Sequence, residues 1–326
     1  MANYKETQCN KQINLIKDSD LFEKAESGVE FRGESRNFVL QDGSYNLYKD
    51  IRKDAIKYYK DNKIKWWCLN KNACGHILSS QVACLNHLFP LRKDPEILKT
   101  IINTATGREF EEILPIPKER DKGEEHYIAF EVVSFQDHLN ESQKGKELTR
   151  GANCTSIDAL MIAKDKNQEV WIIPIEWKYT EPFSKKDMSN DDRKGEPQGS
   201  NGRGEKRMNR YDSLIRKSTQ LNHKQLESYQ GSPYYQESFY QLMRQTLWAE
   251  QVIKKESAQW HNAKKFFHIN IIPDGNPSKE EISKWKDYLT NQDLYTIIDP
   301  KKFLEPIKDK DKYNKLYDYL KKRYWE

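Results

Sequence analysis

Long apolar runs are missing from this sequence. No window reaches the roughly 18 apolar residues that a membrane-spanning helix needs. The first ten residues, MANYKETQCN, contain no apolar core of the kind found in a signal peptide. These absences argue against membrane proteins and secreted proteins, so we expect a cytoplasmic location without membrane contact.

Cysteine is also scarce, with five residues scattered over 326 positions. An odd number of widely spaced cysteines predicts no disulfide framework, which fits a reducing compartment. No C-x-x-C pair occurs, and Cys84 and His87 fall within an apolar helical pattern. We therefore do not expect the cysteines and histidines between Cys68 and His87 to form a zinc site.

A strong excess of charge of one sign is absent, since the net charge is only +5. This value permits nucleic-acid binding without requiring it. One segment is locally basic, with six cations against two anions between Arg203 and Lys217. Its cations are Arg203, Lys206, Arg207, Arg210, Arg216 and Lys217. The segment is either a DNA-contacting surface or an ordinary solvated loop and helix face.

Large aromatic side chains are plentiful, with 8 Trp and 18 Tyr, and they argue against a disordered chain. The mean hydropathy of −0.98 indicates a very polar surface. We find no internal repeat and no clear interdomain linker. The sequence therefore predicts one α/β domain over 1–326, with a mixed β-sheet core flanked by helices.

The order of patterns divides this domain into three parts. Residues 1–75 read as a helical N-terminal extension, residues 76–275 as the catalytic core and residues 276–326 as C-terminal helices. In the core, "HYIAFEVVSF" predicts a strand, after a helical stretch that includes "GREFEEIL". "TSIDALMIAK" and "EVWIIPIEWKY" predict the two strands of a β-hairpin joined by a polar turn. Residues 184–210 contain almost no large apolar side chain and predict a long flexible loop.

Two opposite charges interrupt the most apolar of these strands. Glu176 and Lys178 form the only Glu-x-Lys in the chain and point to the same face, because side chains alternate along a strand. In a suitable register, Asp158 on the other hairpin strand lies across from Glu176. Two adjacent carboxylates favour a hard cation such as Mg²⁺ between them, and a nearby ammonium suits phosphodiester hydrolysis. A buried Glu–Lys ion pair is the structural alternative.

The Asp158…Glu176-Trp177-Lys178 arrangement resembles that of the PD-(D/E)XK nuclease superfamily. Within it, the chain is similar to a family of bacterial, type II-like restriction endonucleases. The resemblance rests on "HILSSQVACLNHLFPL", "FEVVSF", "RGANCTSIDALMIA", "IEWKYTE" and "YYQESFYQLMRQTLWAEQ", which together run from about residue 76 to 251. The earlier stretch "FRGESRNFVL" is a candidate extension of the match. It implies a restriction-endonuclease-like fold and Mg²⁺-dependent cleavage of double-stranded DNA, with Mn²⁺ able to substitute.

The resemblance also implies roles for individual residues. Asp158 and Glu176 would bind the metal, and Lys178 would serve the attacking water. A further acid from the first core helix is usual, and the candidates are Glu109, Glu111, Glu112, the neutral Gln81, and Glu131 from the first strand. Gln241, Arg244 and Gln245 share one helix face, where Arg244 or Gln245 would contact the scissile phosphate or steady the acid. Arg203, Lys206, Arg207 and Arg210 would bind the DNA backbone.

Three functions remain open at this point. The first is a restriction endonuclease, for which a homodimer is expected because symmetric sites are commonly cut by two-fold dimers. The second is a structure-directed or non-specific defence or repair nuclease. The third is a DNA-binding protein on a degenerate nuclease fold, which the intact Asp–Glu–Lys set argues against.

Overall fold

A computed structural model describes residues 3–68, 72–117, 120–121, 124–142, 147–151, 153–184, 186–190, 202–226 and 232–326. Within these ranges the α-helices are α1 (Tyr4–Asp18), α2 (Arg52–Asp61), α3 (Ser80–Leu88), α4 (Pro95–Thr106), α5 (Arg203–Lys217), α6 (Glu237–Lys255), α7 (Ser278–Ser283), α8 (Pro300–Phe303) and α9 (Asn314–Leu320). The strands are β1 (Ser27–Phe31), β2 (Glu34–Leu40), β3 (Phe110–Leu114), β4 (Arg120–Asp121), β5 (Glu124–Glu125), β6 (Ala129–Val132), β7 (Ile157–Asp165), β8 (Val170–Trp177), β9 (Lys265–Phe266), β10 (His268–Ile271) and β11 (Tyr295–Ile298).

The predicted hairpin forms the centre of a mixed sheet. β7 and β8 pair antiparallel, β8 pairs with β10 in parallel, and β10 pairs with β11 in parallel, in the order β11-β10-β8-β7-β3. β6 lies beside β7, and β9 lies beside β8. This sheet and the helices around it confirm the predicted α/β, restriction-endonuclease-like fold class.

Two apolar layers cover the sheet, as the two-faced pattern of β8 predicts. Trp171, Ile173 and Ile175 pack into the layer that contains α3 and α4. Ile172 packs into the other layer, which contains α5 and α6. Because both faces of β8 are covered, a charged side chain on this strand is held away from bulk water.

The sequence predicts a helical N-terminal extension, but this part of the chain also contains strands. β1 and β2 form an antiparallel hairpin whose turn consists of Arg32 and Gly33, both with positive φ. A two-residue turn with this backbone matches the twist of the two strands. The C-terminal part likewise contains β11 besides its helices.

The helix predicted over "GREFEEIL" is wrong. Gly107, in the left-handed conformation, ends α4, and the chain continues as the edge strand β3. Glycine adopts this conformation without a Cβ clash, which explains why the helix stops there. Residues 203–210, predicted as part of a flexible loop, form the start of α5. The remainder of that prediction falls partly on residues 185 and 191–201, which lie outside the described residues.

The cysteines differ from expectation at one place. Cys68 and Cys74 form a disulfide, with their Cα atoms 5.7 Å apart, within the range that a disulfide requires. Cys9, Cys84 and Cys154 are free. In the part of the chain that the structure describes, no helix is long and apolar enough to cross a membrane.

Candidate active site

The centre of the candidate site is a row of three acidic residues on neighbouring strands. The antiparallel register of β7 and β8 pairs Ala159 with Ile175, which puts Asp158 opposite Glu176. The register of β6 and β7 pairs Phe130 with Ala159 and Val132 with Ile157, which puts Glu131 opposite Asp158 on the other side. Asp158 is therefore flanked by a carboxylate on each neighbouring strand.

Lys178 is the cation beside this row and follows Glu176 by two residues in the sequence. Its Nζ is 2.6 Å from Oε1 of Glu176, with 13% of the lysine side chain and 1% of the glutamate side chain exposed. The same Nζ donates to Oε1 of Gln241 at 2.7 Å, and the Lys178 backbone N–H donates to Ile271 O at 2.8 Å. The ammonium is thus fixed in position on both sides.

Two glutamines of α6 form hydrogen bonds to the Lys178–Glu176 ion pair. Gln245 donates from Nε2 to Oε2 of Glu176, while Gln241 accepts from Lys178. They stand one helical turn apart, so a single helix face orients both partners of the ion pair. On the strands below, the backbone N–H of Trp177 donates to Oδ2 of Asp158 at 2.8 Å.

Glu131 has an unusual backbone as well as a buried side chain. Its φ is +50°, a conformation that residues with a Cβ adopt rarely and that often occurs at functional sites. The side chain is 7% exposed and accepts from Nε2 of Gln81, on α3, at 2.7 Å. Arg150 donates from Nε to the Glu131 carbonyl at 3.1 Å, so this arginine binds the backbone on that side.

The electrostatics of the row reflect an excess of negative charge. Burial raises the pKa of Asp158 well above its usual value, and the Glu176 and Glu131 carboxylates raise it further. Burial also raises the pKa of Glu131, although its hydrogen bonds from Gln81 and Ser156 oppose the change. Burial alone would lower the pKa of Lys178, but the carboxylates of Glu176, Glu181 and Asp158 together outweigh it and raise that pKa.

A cleft gives access to these groups. Its volume is about 550 Å³, and its walls include Asp158, Glu176, Lys178, Glu131 and Gln81. A second opening of about 270 Å³ also reaches Asp158 and Glu131 and is lined by Gln245 and Arg244. Asp158, which is only half-buried, therefore faces open space on two sides.

The donor set fits a hard divalent cation. Mg²⁺ binds through one or two carboxylates and completes its shell with water and substrate phosphate oxygens. Asp158 and Glu176 are two such carboxylates, and a cation beside Asp158 would relieve the repulsion that raises its pKa. Among the described residues, no group of three or more His, Cys, Asp and Glu side chains has the geometry to hold one ion, so the fit rests on this pair.

The acids proposed from "GREFEEIL" are not brought to this site. Glu112 is on β3 opposite Lys164 and forms an ion pair with it. Lys164 is six residues from Asp158 along β7, or about 20 Å at 3.3 Å per residue. Glu109 pairs with Lys166 at 3.2 Å, and Glu111 accepts from Gln168 at 3.4 Å. The strand that replaces the predicted helix carries Glu111 and Glu112 away from the row, and Glu109 directly precedes that strand.

The predicted DNA-contacting residues fall into two groups. Arg203 and Lys206 are exposed on α5, and Arg210 is partly exposed. Arg207 instead donates to Met188 O at 2.8 Å and lies over the ring of Tyr240. Arg244 donates from Nε to Glu141 and to Thr155, at 3.0 Å each, so part of its guanidinium is used inside the fold.

Two features of the site were not assigned from the sequence. Gln241 was placed on the correct helix face, but its contact with Lys178 depends on how α6 crosses the sheet, which no local pattern encodes. The second feature is the β1–β2 hairpin, whose Phe31, Arg32, Arg36 and Phe38 line the same cleft as the acids. The Arg32-Gly33 dipeptide between two β-prone stretches was the available signal.

Comparison with known proteins gives one match. Neither a curated protein nor a solved structure matches the chain. A family model described as "Restriction Endonuclease associating with ARP" matches residues 17–325, which is nearly the whole sequence. The match also includes the β1–β2 hairpin, which contains the candidate extension "FRGESRNFVL", and the C-terminal helices, beyond the 76–251 segment on which the sequence resemblance mainly rested. The chain belongs to this family of restriction endonucleases.

Proposed function

We propose that the chain is a Mg²⁺-dependent deoxyribonuclease that hydrolyses phosphodiester bonds of foreign DNA. Family membership makes it a nuclease with DNA as its substrate class. The observation that carries the proposed mechanism is the placement of Asp158 opposite Glu176, with Lys178 ion-paired to Glu176, at the floor of an open cleft.

Each residue of this set has a distinct role in the proposal. Asp158 and Glu176 hold Mg²⁺ (or Mn²⁺), with Gln245 keeping the Glu176 carboxylate in place. The bound metal supplies Lewis acidity toward a phosphate oxygen. Lys178, held by Gln241, orients the attacking water and stabilises the negative charge that builds on the phosphate. Glu131, anchored by Gln81, supplies the third acidic group of the site.

The DNA backbone is held by cations outside the acid row. Arg203, Lys206 and Arg210 lie on the α5 segment that follows β8 in the chain, and their charges suit sequence-independent phosphate contacts. Arg244 lines the second opening beside Asp158 and is a candidate for a contact close to the cleaved bond. We further propose that the enzyme works in the cytoplasm, where a defence nuclease meets incoming DNA, and that a homodimer cuts both strands.

Incubation of the purified protein with plasmid and phage DNA tests this function. In Mg²⁺ we expect cleavage that disappears with EDTA and in the Asp158→Asn and Glu176→Gln variants. Glu112→Gln is the matched control, because this glutamate is also paired with a lysine but lies far along the sheet. Discrete fragments would identify a sequence-specific enzyme. No cleavage in either Mg²⁺ or Mn²⁺, or full activity of Asp158→Asn, would refute the proposal.

A further inference from the structure

The β1–β2 hairpin forms a wall of the catalytic cleft that the proposed chemistry does not use. Phe31, Arg32, Arg36 and Phe38 line the same 550 Å³ cleft as Asp158 and Glu176. Trp67 and His76, from the segment that follows α2, line it as well. We call the rings of Phe31, Phe38, Trp67 and His76 the aromatic cluster.

The aromatic cluster is compact and partly open to solvent. His76 is at its centre, with ring centroids 5.3 Å from Phe31, 5.1 Å from Phe38 and 5.3 Å from Trp67. Trp67 is 45% exposed; among the described residues, only Phe135 is a comparably exposed large hydrophobic side chain. Burial lowers the pKa of His76 to about 4, and Lys5 acts in the same direction. At neutral pH the four rings are therefore uncharged.

Cations surround the aromatic cluster. The guanidinium carbon of Arg32 is 5.3 Å from the ring centroids of both Phe31 and Trp67, and that of Arg36 is 5.9 Å from the centroid of Phe38. Arg32 occupies the first position of the tight turn with φ +55°, where asparagine or glycine is the favoured residue. A strained position that carries an exposed arginine points to a role for its side chain.

The aromatic cluster is directly coupled to the acid row. The backbone N–H of Trp67 donates to Oε1 of Gln81 at 2.9 Å, and Nε2 of Gln81 donates to Glu131 at 2.7 Å. Two hydrogen bonds thus link the backbone of Trp67 to a carboxylate next to Asp158. A ligand that stacks on Trp67 would have its neighbouring groups within the catalytic cleft.

We propose that the aromatic cluster binds an unpaired nucleobase by stacking on Trp67, with Arg32 contacting the adjacent phosphate. The inference rests on the proposed nuclease function and extends its substrates to DNA with unpaired nucleotides at the cut. Exposed aromatic faces beside arginines are the usual means of binding single strands, because each base has a face that can stack. A continuous duplex keeps those faces inside and presents only phosphates and base edges.

The test compares two oligonucleotides of one sequence, single-stranded and duplex, in EDTA so that no cleavage takes place. Fluorescence anisotropy gives the affinities, and 2-aminopurine in the single strand reports stacking. We expect Trp67→Ala to weaken single-strand binding roughly five- to a hundred-fold and duplex binding by less than about twofold. Trp67→Phe should retain most of the single-strand affinity. Phe135→Ala, an equally exposed aromatic that does not line the cleft, should change neither.

The outcomes separate this inference from the proposed function. Unchanged single-strand affinity in Trp67→Ala, or equal losses for both oligonucleotides, overturns the base site, whereas plasmid cleavage by the wild type would still support the nuclease. Loss of single-strand binding without any cleavage in Mg²⁺ supports the base site and refutes the nuclease. If Trp67→Ala proves unfolded by circular dichroism, Arg32→Gln replaces it. The exposed side chain of Arg32 can be changed without loss of core packing, and we expect the same selective loss of single-strand affinity.

Discussion

Removal of the Lys178 charge should destabilise the protein as well as inactivate it. The ammonium is 2.6 Å from a Glu176 carboxylate that is 1% exposed, so both charges have lost most of their water. Replacement by methionine keeps the length of the side chain but leaves Glu176 without its cation, beside Asp158. Breaking a buried ion pair in this way costs about 3–5 kcal/mol. We expect a fall in Tm on the order of 10 °C.

A double variant shows whether charge, and not packing, causes the loss. In Lys178→Met/Glu176→Gln neither residue is charged, so most of the stability should return, although the enzyme remains inactive. Lys164→Met is the matched control, since Lys164 also lies on the central hairpin and pairs with a glutamate, but with 26% and 50% of the two side chains exposed. An exposed pair of this kind contributes less than about 1 kcal/mol.

The pH dependence has a definite sign. The pKa of Lys178 is raised in the folded protein, so its stabilising effect is complete below the unfolded value of about 10.4 and is lost only as pH rises through the raised pKa. The part of the difference between wild type and Lys178→Met that comes from ionisation of the lysine should therefore be constant across neutral pH and narrow only in alkali. Urea unfolding monitored by circular dichroism measures it. A single variant within about 1 kcal/mol of wild type, or a double variant no more stable than the single one, would refute this reasoning.

Three further predictions follow from the site. Asp158→Asn should make the metal-free protein more stable at neutral pH, because the raised pKa of Asp158 means that ionisation of this carboxyl opposes folding. The gain in stability should shrink as the pH falls below that pKa and be gone below about pH 4, and a thermal unfolding experiment that shows no gain at pH 7 would contradict this prediction. Gln245→Met should raise the Mg²⁺ concentration needed for half-maximal cleavage about 10- to 100-fold, since the donor to Glu176 is removed; an unchanged titration curve would remove Gln245 from the site. Neutralising Arg203, Lys206 and Arg210 together should make the slope of log affinity against log salt concentration less steep, by about 0.9 for each DNA phosphate that the protein no longer neutralises. An unchanged slope would place α5 outside the DNA interface.

The sequence was sufficient to predict the β7–β8 hairpin for a physical reason. β7 and β8 are joined by a short polar turn and are apolar on both faces, so their pairing is local and their register is restricted. In such a pair, any charged residue in the interior is conspicuous. Asp158, Glu176 and Lys178 could therefore be selected and placed on one face before the structure was known.

The proposed third acid could not be chosen in this way. Glu131 lies opposite Asp158 with a backbone φ of +50°, a conformation that depends on the surrounding contacts and has no local pattern. The glutamates of "GREFEEIL" had the spacing expected of a helix, but Gly107 ended the preceding helix and the segment joined the sheet edge. The segment after Gly107 pairs with β7 instead of continuing the helix. Because β7 lies about 50 residues further along the chain, the local periodicity could not predict this outcome.

In our proposals, the N-terminal hairpin and not the acid row selects the substrate. The acid row and Lys178 would act on a phosphate, which every nucleic acid carries, so this part of the site has no means of distinguishing paired from unpaired DNA. The β1–β2 hairpin and Trp67 add uncharged rings and arginines to the lining of the same cleft, and such groups can interact with base faces as well as phosphates. Selection of the substrate is therefore best sought in β1, β2 and Trp67, outside the segment that carries the proposed hydrolytic groups. Exchange of residues 27–40 between family members should transfer substrate preference while leaving the metal requirement unchanged.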